Sequence, residues 1–132
     1  MTDGVPHDRR QEIADDPFCD LLGIELVELA PGAATTRLTL TEELVNFHGI
    51  PHGGAIYALA DAAFAAASNA DGRTAIALDT NISYLEAVDV GTELTARAEE
   101  RQRGGRTGAF AVDVTDSDDE PIAIFRGRGY EP

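Results

Sequence analysis

From Ala55 to Ala67 the chain carries one charged side chain, Asp61, and otherwise only alanine, isoleucine, leucine, tyrosine and phenylalanine. A helix of that composition has no solvent-facing stripe, so it must be covered on every side. The positions three and four residues from Asp61 are Tyr57, Ala58, Phe64 and Ala65, and none of them can neutralise a carboxylate. An unpaired buried charge costs several kcal/mol or drives its own pKa upward. Two readings follow. Either an arginine or backbone amides elsewhere in the fold satisfy the carboxylate, or Asp61 is a poised general base or nucleophile, the role in which perturbed carboxylates gather at active sites.

The rest of the chain shows what can cover such a helix. Before it, "IELVELA" and "AATTRLTLT" alternate as half-buried strands and flank a Pro31-Gly32 turn, which predicts an antiparallel hairpin. After it come four more strand-like runs, "TAIALDTNISYLE", "GTELTARAEERQR", "RTGAFAVDVTDS" and "EPIAIFRGRGYE", separated by turn signals at Val88 to Gly91, Gly104-Gly105 and Ser117 to Asp119. Two strands, one long helix and four strands make an α+β domain with a mostly antiparallel sheet. Residues 1–22 form an N-terminal segment, weakly helical from residue 7, in which Ile13, Phe18, Leu21 and Leu22 are available for docking. Residues 23–132 form one domain. A single sheet covers one face of a helix, so the far face of this one needs a second cover.

Charge narrows the partners. The 24 acidic side chains outnumber 10 basic ones, leaving a net charge of −14, and every basic residue is arginine. Such a surface repels nucleic acid and anionic membranes, and neither is expected as a partner. It is also a surface of the kind found in salt-loving microbes, although GC-rich codon usage explains the missing lysine almost as well. Cys19 is the only cysteine, which leaves no intrachain disulfide or cysteine-rich zinc site and suits a cytoplasmic protein. No apolar run is long enough to span a bilayer and the start has no signal-like core.

The helix entrance supplies a second chemical feature. Gly53 and Gly54 occupy first-turn positions whose amides have no intrahelical acceptor, and free amides at the positive end of a helix can polarise a carbonyl or hold an oxyanion. Gly53 and Asp61 are separated by roughly 12 Å along a helix rising about 1.5 Å per residue. One small reacting carbonyl cannot touch both. If both act on one bond, the amide and the carboxylate come from different subunits, and the interface between those subunits is the missing cover.

The pattern Asn46-x-x-Gly49-x-x-His52-Gly53-Gly54, followed by Leu59-Ala60-Asp61, resembles the hotdog-fold acyl-CoA thioesterases of the phenylacetyl-CoA thioesterase (PaaI) type. "IAIFRGRGY" and "GRTGAFAVDV" are similar to that family as well, so the resemblance runs over about residues 20 to 130. It implies a hotdog fold, a long central helix wrapped by a curved, mostly antiparallel sheet, assembled as a dimer with shared sites and as a dimer-of-dimers tetramer. By position it implies that Asp61 is the catalytic carboxylate, that the Gly53 amide polarises the thioester carbonyl, that Asn46 positions the carbonyl or the water, and that His52 shapes the turn. Gly54 and His48 stand beside the substrate in the same motif. Some relatives carry a water-orienting serine on the strand after the helix; Ala77 stands there, and alternation places Asp79, Asn81 and Ser83 on the same side. Arg106, Arg126 and Arg128 are candidates for the phosphates of coenzyme A.

The expected function is hydrolysis of an aryl-acetyl or short acyl-CoA thioester without metal or redox cofactor. The competing reading is a non-catalytic acyl-CoA binding domain, which gives Asp61 no duty. A hotdog hydratase would want an aspartate and a histidine about five residues apart in one loop, and no such pair stands near the helix entrance.

Overall fold

The computed structural model describes residues 4–132; the first three residues of the expected N-terminal segment lie outside the described residues. Two short helices open it, α1 (His7–Ala14) and α2 (Pro17–Leu22). They are followed by the hairpin β1 (Glu25–Ala30) and β2 (Ala33–Thr39), the long helix α3 (Gly53–Asn69), and the strands β3 (Ile76–Tyr84), β4 (Glu93–Gly104), β5 (Thr107–Thr115) and β6 (Pro121–Tyr130). Six strands form one antiparallel sheet in the order β1-β2-β4-β5-β6-β3. The chain thus crosses α3 to place β3 at the far edge, and β4 returns to pair with β2.

Alanine is what brings the helix onto the sheet. Leu59, Ala60 and Ala63 are fully buried against strand residues such as Leu94, Ala96, Val112, Val114 and Phe125. Small side chains on the contact face shorten the helix-to-sheet distance enough for the Thr36 hydroxyl on β2 to donate to the Leu59 carbonyl at 2.9 Å. Phe64 fills the remaining depth, meeting Phe110 edge-on at 5.6 Å and Phe125 at 5.8 Å between ring centroids. Its ring lies directly over Gly127, where an added Cβ would fall 2.8 Å from Phe64 Cε1.

The cover expected all round α3 is incomplete within one chain. Ala65 is exposed, and Asp61 and Ala62 are half-buried. They lie on the side away from the sheet, partly roofed by α1 and α2. That roof is tied down at the C-terminal end of α3, where Arg9 Nε donates to the Asn69 carbonyl at 3.0 Å. Asn69 also closes the helix, donating from Nδ2 to the Ala65 and Ala75 carbonyls and accepting from Ala75 N. At α2, Asp16 accepts from Cys19 N at 3.0 Å as the N-cap, and Gly23 ends the helix with φ +88°. Among the described residues no helix is long and apolar enough to cross a membrane.

One expectation is corrected here. Strand β3 carries a bulge between Ala77 and Asp79, which shifts the alternation by one. Ala77 pairs with Gly129 and Thr80 with Gly127, the glycines that face α3, whereas Asp79 and Asn81 pair with Arg128 and Arg126. Asp79, Asn81 and Ser83 therefore point away from the helix, and Thr80 shares the side of Ala77, its hydroxyl hydrogen-bonded to the Tyr57 hydroxyl on α3.

Gly127 gives a test of this packing. Gly127→Ala must displace a Phe64 ring held between Phe110 and Phe125, and overpacking of that kind costs about 1–3 kcal/mol. Urea denaturation is expected to show a lower midpoint at unchanged slope, and equal stability would contradict the close approach.

Candidate active site

The loop before α3 is shaped by Asn46. Its Oδ1 accepts from His48 N at 2.9 Å and more weakly from Ile50 N, its backbone N–H donates to the Ile50 carbonyl, and its carbonyl accepts from Gly49 N. Gly49 turns the chain at φ +81°, a conformation costly for any other residue. With its Oδ1 spent on the loop, Asn46 keeps the two N–H donors of Nδ2 for something else. His48 is exposed and its ring sits on Phe47, 4.1 Å between centroids.

His52 caps the helix. Its Nδ1 accepts from Gly54 N at 2.8 Å, so in this bond Nε2 is the ring nitrogen left to carry a proton. Of the two glycine amides at the entrance, the one on Gly54 is thus taken. The Gly53 N–H has no acceptor among the described residues. The Gly53 carbonyl accepts from the Tyr84 hydroxyl at 2.8 Å, an interaction 31 residues apart in sequence that no motif signals. Asn46, Gly53, Ile56 and Tyr84 together line a cavity of about 500 Å³, whose far wall is the Leu85 to Asp89 segment.

Asp61 is elsewhere. It sits two turns further along α3, half-buried, with no hydrogen bond or ion pair to its carboxylate among the described residues. Burial pushes its pKa up, and the nearby Asp16 carboxylate pushes in the same direction. The arginine or amide partner that would have made Asp61 a structural residue is not found among the described residues. The neighbouring Ala62 and Ala65 line a second cavity, about 420 Å³, under α1 and α2 with Asp16, Cys19 and Thr36. Cys19 is inert there: burial and then Asp16 raise its thiol to about 12.

The structure therefore brings Asn46, His52, Gly53 and Gly54 together at the helix entrance and leaves Asp61 apart from them. The arginines form a third place. Arg126 and Arg128 project from β6 on the outer face of the sheet, lining a hollow of about 570 Å³ with Arg101, Asp79 and Asp113. Arg128 reaches Asp79 only at 3.9 Å, and Arg126 has no partner among the described residues. Arg106 stands at the β4–β5 turn and touches the Tyr130 hydroxyl at 3.4 Å. Sequence reasoning missed Tyr84, Thr80 and Asp16; the first two are placed by β3 and no local pattern marks them, whereas Asp16 carries the helix-start signal of an N-cap before Pro17, which says nothing of its approach to Asp61.

A six-stranded antiparallel sheet packed on one long helix is the architecture of the hotdog fold. The chain belongs to the Thioesterase superfamily, whose family model matches residues 48–123. It is 34% identical over 116 residues to the acyl-coenzyme A thioesterase PaaI of Escherichia coli, covering 88% of this chain and 83% of that one. It is 30% identical over 110 residues to the 1,4-dihydroxy-2-naphthoyl-CoA hydrolase of Listeria monocytogenes, covering 81% and 89%. The solved structure of the Escherichia coli PaaI protein superposes with a TM-score of 0.88 at 32% identity over 93% of this chain and 89% of that one. A mutant of the phenylacetic acid degradation protein PaaI of Thermus thermophilus superposes at 0.85 and 37% identity over 89% and 100%.

The raised pKa of Asp61 has a measurable sign. The folded state holds the proton more tightly than the unfolded state, so ionisation of Asp61 opposes folding from the ordinary carboxylate range upward and the penalty is full above the folded pKa. Asp61→Asn is expected to raise the melting temperature at neutral pH, with the gain shrinking as pH falls through that range. A lowered melting temperature at pH 7 would mean that the carboxylate is satisfied.

Proposed function

We propose that the chain hydrolyses the thioester of an aryl-acetyl or short acyl-CoA, with Asp61 and the Gly53 amide acting on one carbonyl from two subunits. The observation that carries this reading is their separation: Gly53 lines the entrance cavity, while Asp61 stands beside a different one. The sheet offers the means of pairing. Strand β3 is an edge strand hydrogen-bonded only to β6, with Ile76 53% and Leu78 47% exposed along it. A nine-residue edge strand without lysine or proline, regular from Asp79 to Tyr84 beyond its one bulge, invites a second strand, whereas the opposite edge, β1, has only six residues, a bulge of its own and the charges of Glu25 and Glu28. Pairing of two β3 edges sets two α3 helices side by side and covers the open stripe at Asp61. Two such dimers form the tetramer.

In this arrangement Asp61 takes a proton from water as the water oxygen attacks the carbonyl carbon, or attacks that carbon itself to give an anhydride that water then opens. By either route the C–S bond breaks, the sulfur leaves as the thiol of coenzyme A, and the acyl group leaves as the free acid. The Gly53 N–H stabilises the charge growing on the carbonyl oxygen, and Asn46 Nδ2 orients the carbonyl or the water. His52 keeps the turn in shape, with Gly54 and His48 at its rim. Arg126 and Arg128, with Arg106 nearer the turn, take the phosphates of coenzyme A. The protein works in the cytoplasm, where acyl-CoA is made, and phenylacetate degradation is the setting that best fits an aryl-acetyl substrate.

Complementation tests the shared site. Asp61→Asn is expected to lower hydrolysis by a factor of about 10³ or more, in keeping with the loss of a catalytic base, while Gly53→Pro removes the amide and leaves the carboxylate. Each variant alone is inactive. Refolded together they form hybrid dimers with one intact site, and activity returns. Co-assembly without activity would overturn the cross-subunit site, and near wild-type turnover by Asp61→Asn would overturn Asp61 as the catalytic carboxylate.

The surface is adapted to salt on the same reading. With a net charge of −14, self-repulsion is relieved by screening. Melting temperature is expected to rise between dilute and molar potassium chloride; a flat or falling trend assigns the composition to codon usage.

A further inference from the structure

An amide that stabilises an oxyanion must be held in place before the charge appears, yet this one lies in a Gly-Gly pair, the least restrained backbone a helix can begin with. Three contacts restrain it. The His52 carbonyl accepts from Ala55 N at 3.0 Å, fixing the peptide unit that bears the Gly53 N–H. His52 Nδ1 accepts from Gly54 N, and Tyr84 donates to the Gly53 carbonyl, each at 2.8 Å. The last two grip opposite ends of the Gly53–Gly54 peptide. The Tyr84 ring is also pressed onto Gly53: a Cβ there would lie 3.1 Å from Cζ and 3.2 Å from the phenol oxygen. Glycine at 53 is thus needed for the tyrosine to approach, besides leaving room for substrate.

We propose that Tyr84 is a positioning residue of the thioesterase, holding the Gly53 amide toward the cavity through its hydrogen bond to the Gly53 carbonyl and its packing on Gly53 Cα. The assignment rests on the thioesterase reading above. Because Tyr84 is the last residue of β3, the tether joins the edge strand to the oxyanion turn. Partial desolvation, and then the neighbouring Tyr57, push the phenol's pKa upward, although the ring stays half exposed at the rim.

Tyr84→Phe keeps the ring and removes the donor. It is expected to lower kcat about 10-fold, part of the roughly 10²- to 10³-fold worth of a whole oxyanion donor, with KM within about twofold. The carbonyl stretch of an isotope-labelled thioester trapped by Asp61→Asn reports polarisation directly. Its shift to lower frequency on binding shrinks when Tyr84→Phe is added. A folded Tyr84→Phe with unchanged kcat, or with a lowered kcat and an unchanged carbonyl frequency, overturns the assignment. Should that variant fail to fold, 3,5-difluorotyrosine at position 84, whose phenol ionises near neutrality, serves instead. It gives kcat a new descending limb where the phenolate forms and can no longer donate, and the absence of that limb overturns the proposal. If the unaltered protein hydrolyses no acyl-CoA thioester, the thioesterase reading falls and the role of Tyr84 falls with it; hydrolysis that survives with Tyr84 indifferent removes only the latter.

Discussion

The close approach of α3 to the sheet is the contact on which the other features depend. It exists because the inward face of the helix is alanine at Ala60, Ala63 and Ala67, and because Gly127 leaves a recess for Phe64. Dispersion falls off steeply with separation, so a helix lowered by the width of one methylene gains contact along its whole length. Lowering the helix also fixes its rotation. With the buried face settled, Asp61 and Ala65 have to lie on the opposite side, and the first turn has to emerge at the rim beside the end of β3, where Tyr84 meets Gly53.

That geometry also explains how much could be read from the chain. The extent of α3 was legible because its signals are local: an apolar run, histidine and two glycines at the start, and Asn69 with Gly72 at the end. All six strands were legible from alternation and turn residues. Their order was not, since nothing within "TAIALDTNISYLE" says that it will pair with the last strand rather than its neighbour in sequence. The facing of β3 failed for a definable reason. Period-two reasoning assumes no bulge, and the extra residue after Ala77 moved Asp79, Asn81 and Ser83 to the outer face. The N-terminal segment, mixed in composition, resolves into two helices only because Asp16 caps the second and Pro17 begins it.

For the site, residue types were legible and their engagements were not. Gly53 and Gly54 look equivalent as letters, and the ring of His52 distinguishes them by consuming one amide. Asn46 reads as a donor to substrate, but half of its side chain is committed to the loop that carries it. A hydrogen bond across 31 residues, such as that from Tyr84, has no sequence signature at all. Side-chain economy of this kind is settled by tertiary structure, after backbone signals have done all they can.

The division of the proposed site between two places on one helix follows from the same economy. The entrance turn is stabilised by its own caps and tolerates no buried negative charge nearby, because the amides it must keep free would bind that carboxylate and be lost to substrate. A carboxylate placed in the middle of the helix escapes this capture, and burial there with Asp16 close by keeps its pKa raised. Leaving a half-buried carboxylate unpaired works against stability, and the proposed catalytic role gives that position a reason to keep it. In the proposed shared site, separation along the helix protects both groups until a second chain brings them to one bond, and on that proposal assembly is part of the catalytic device.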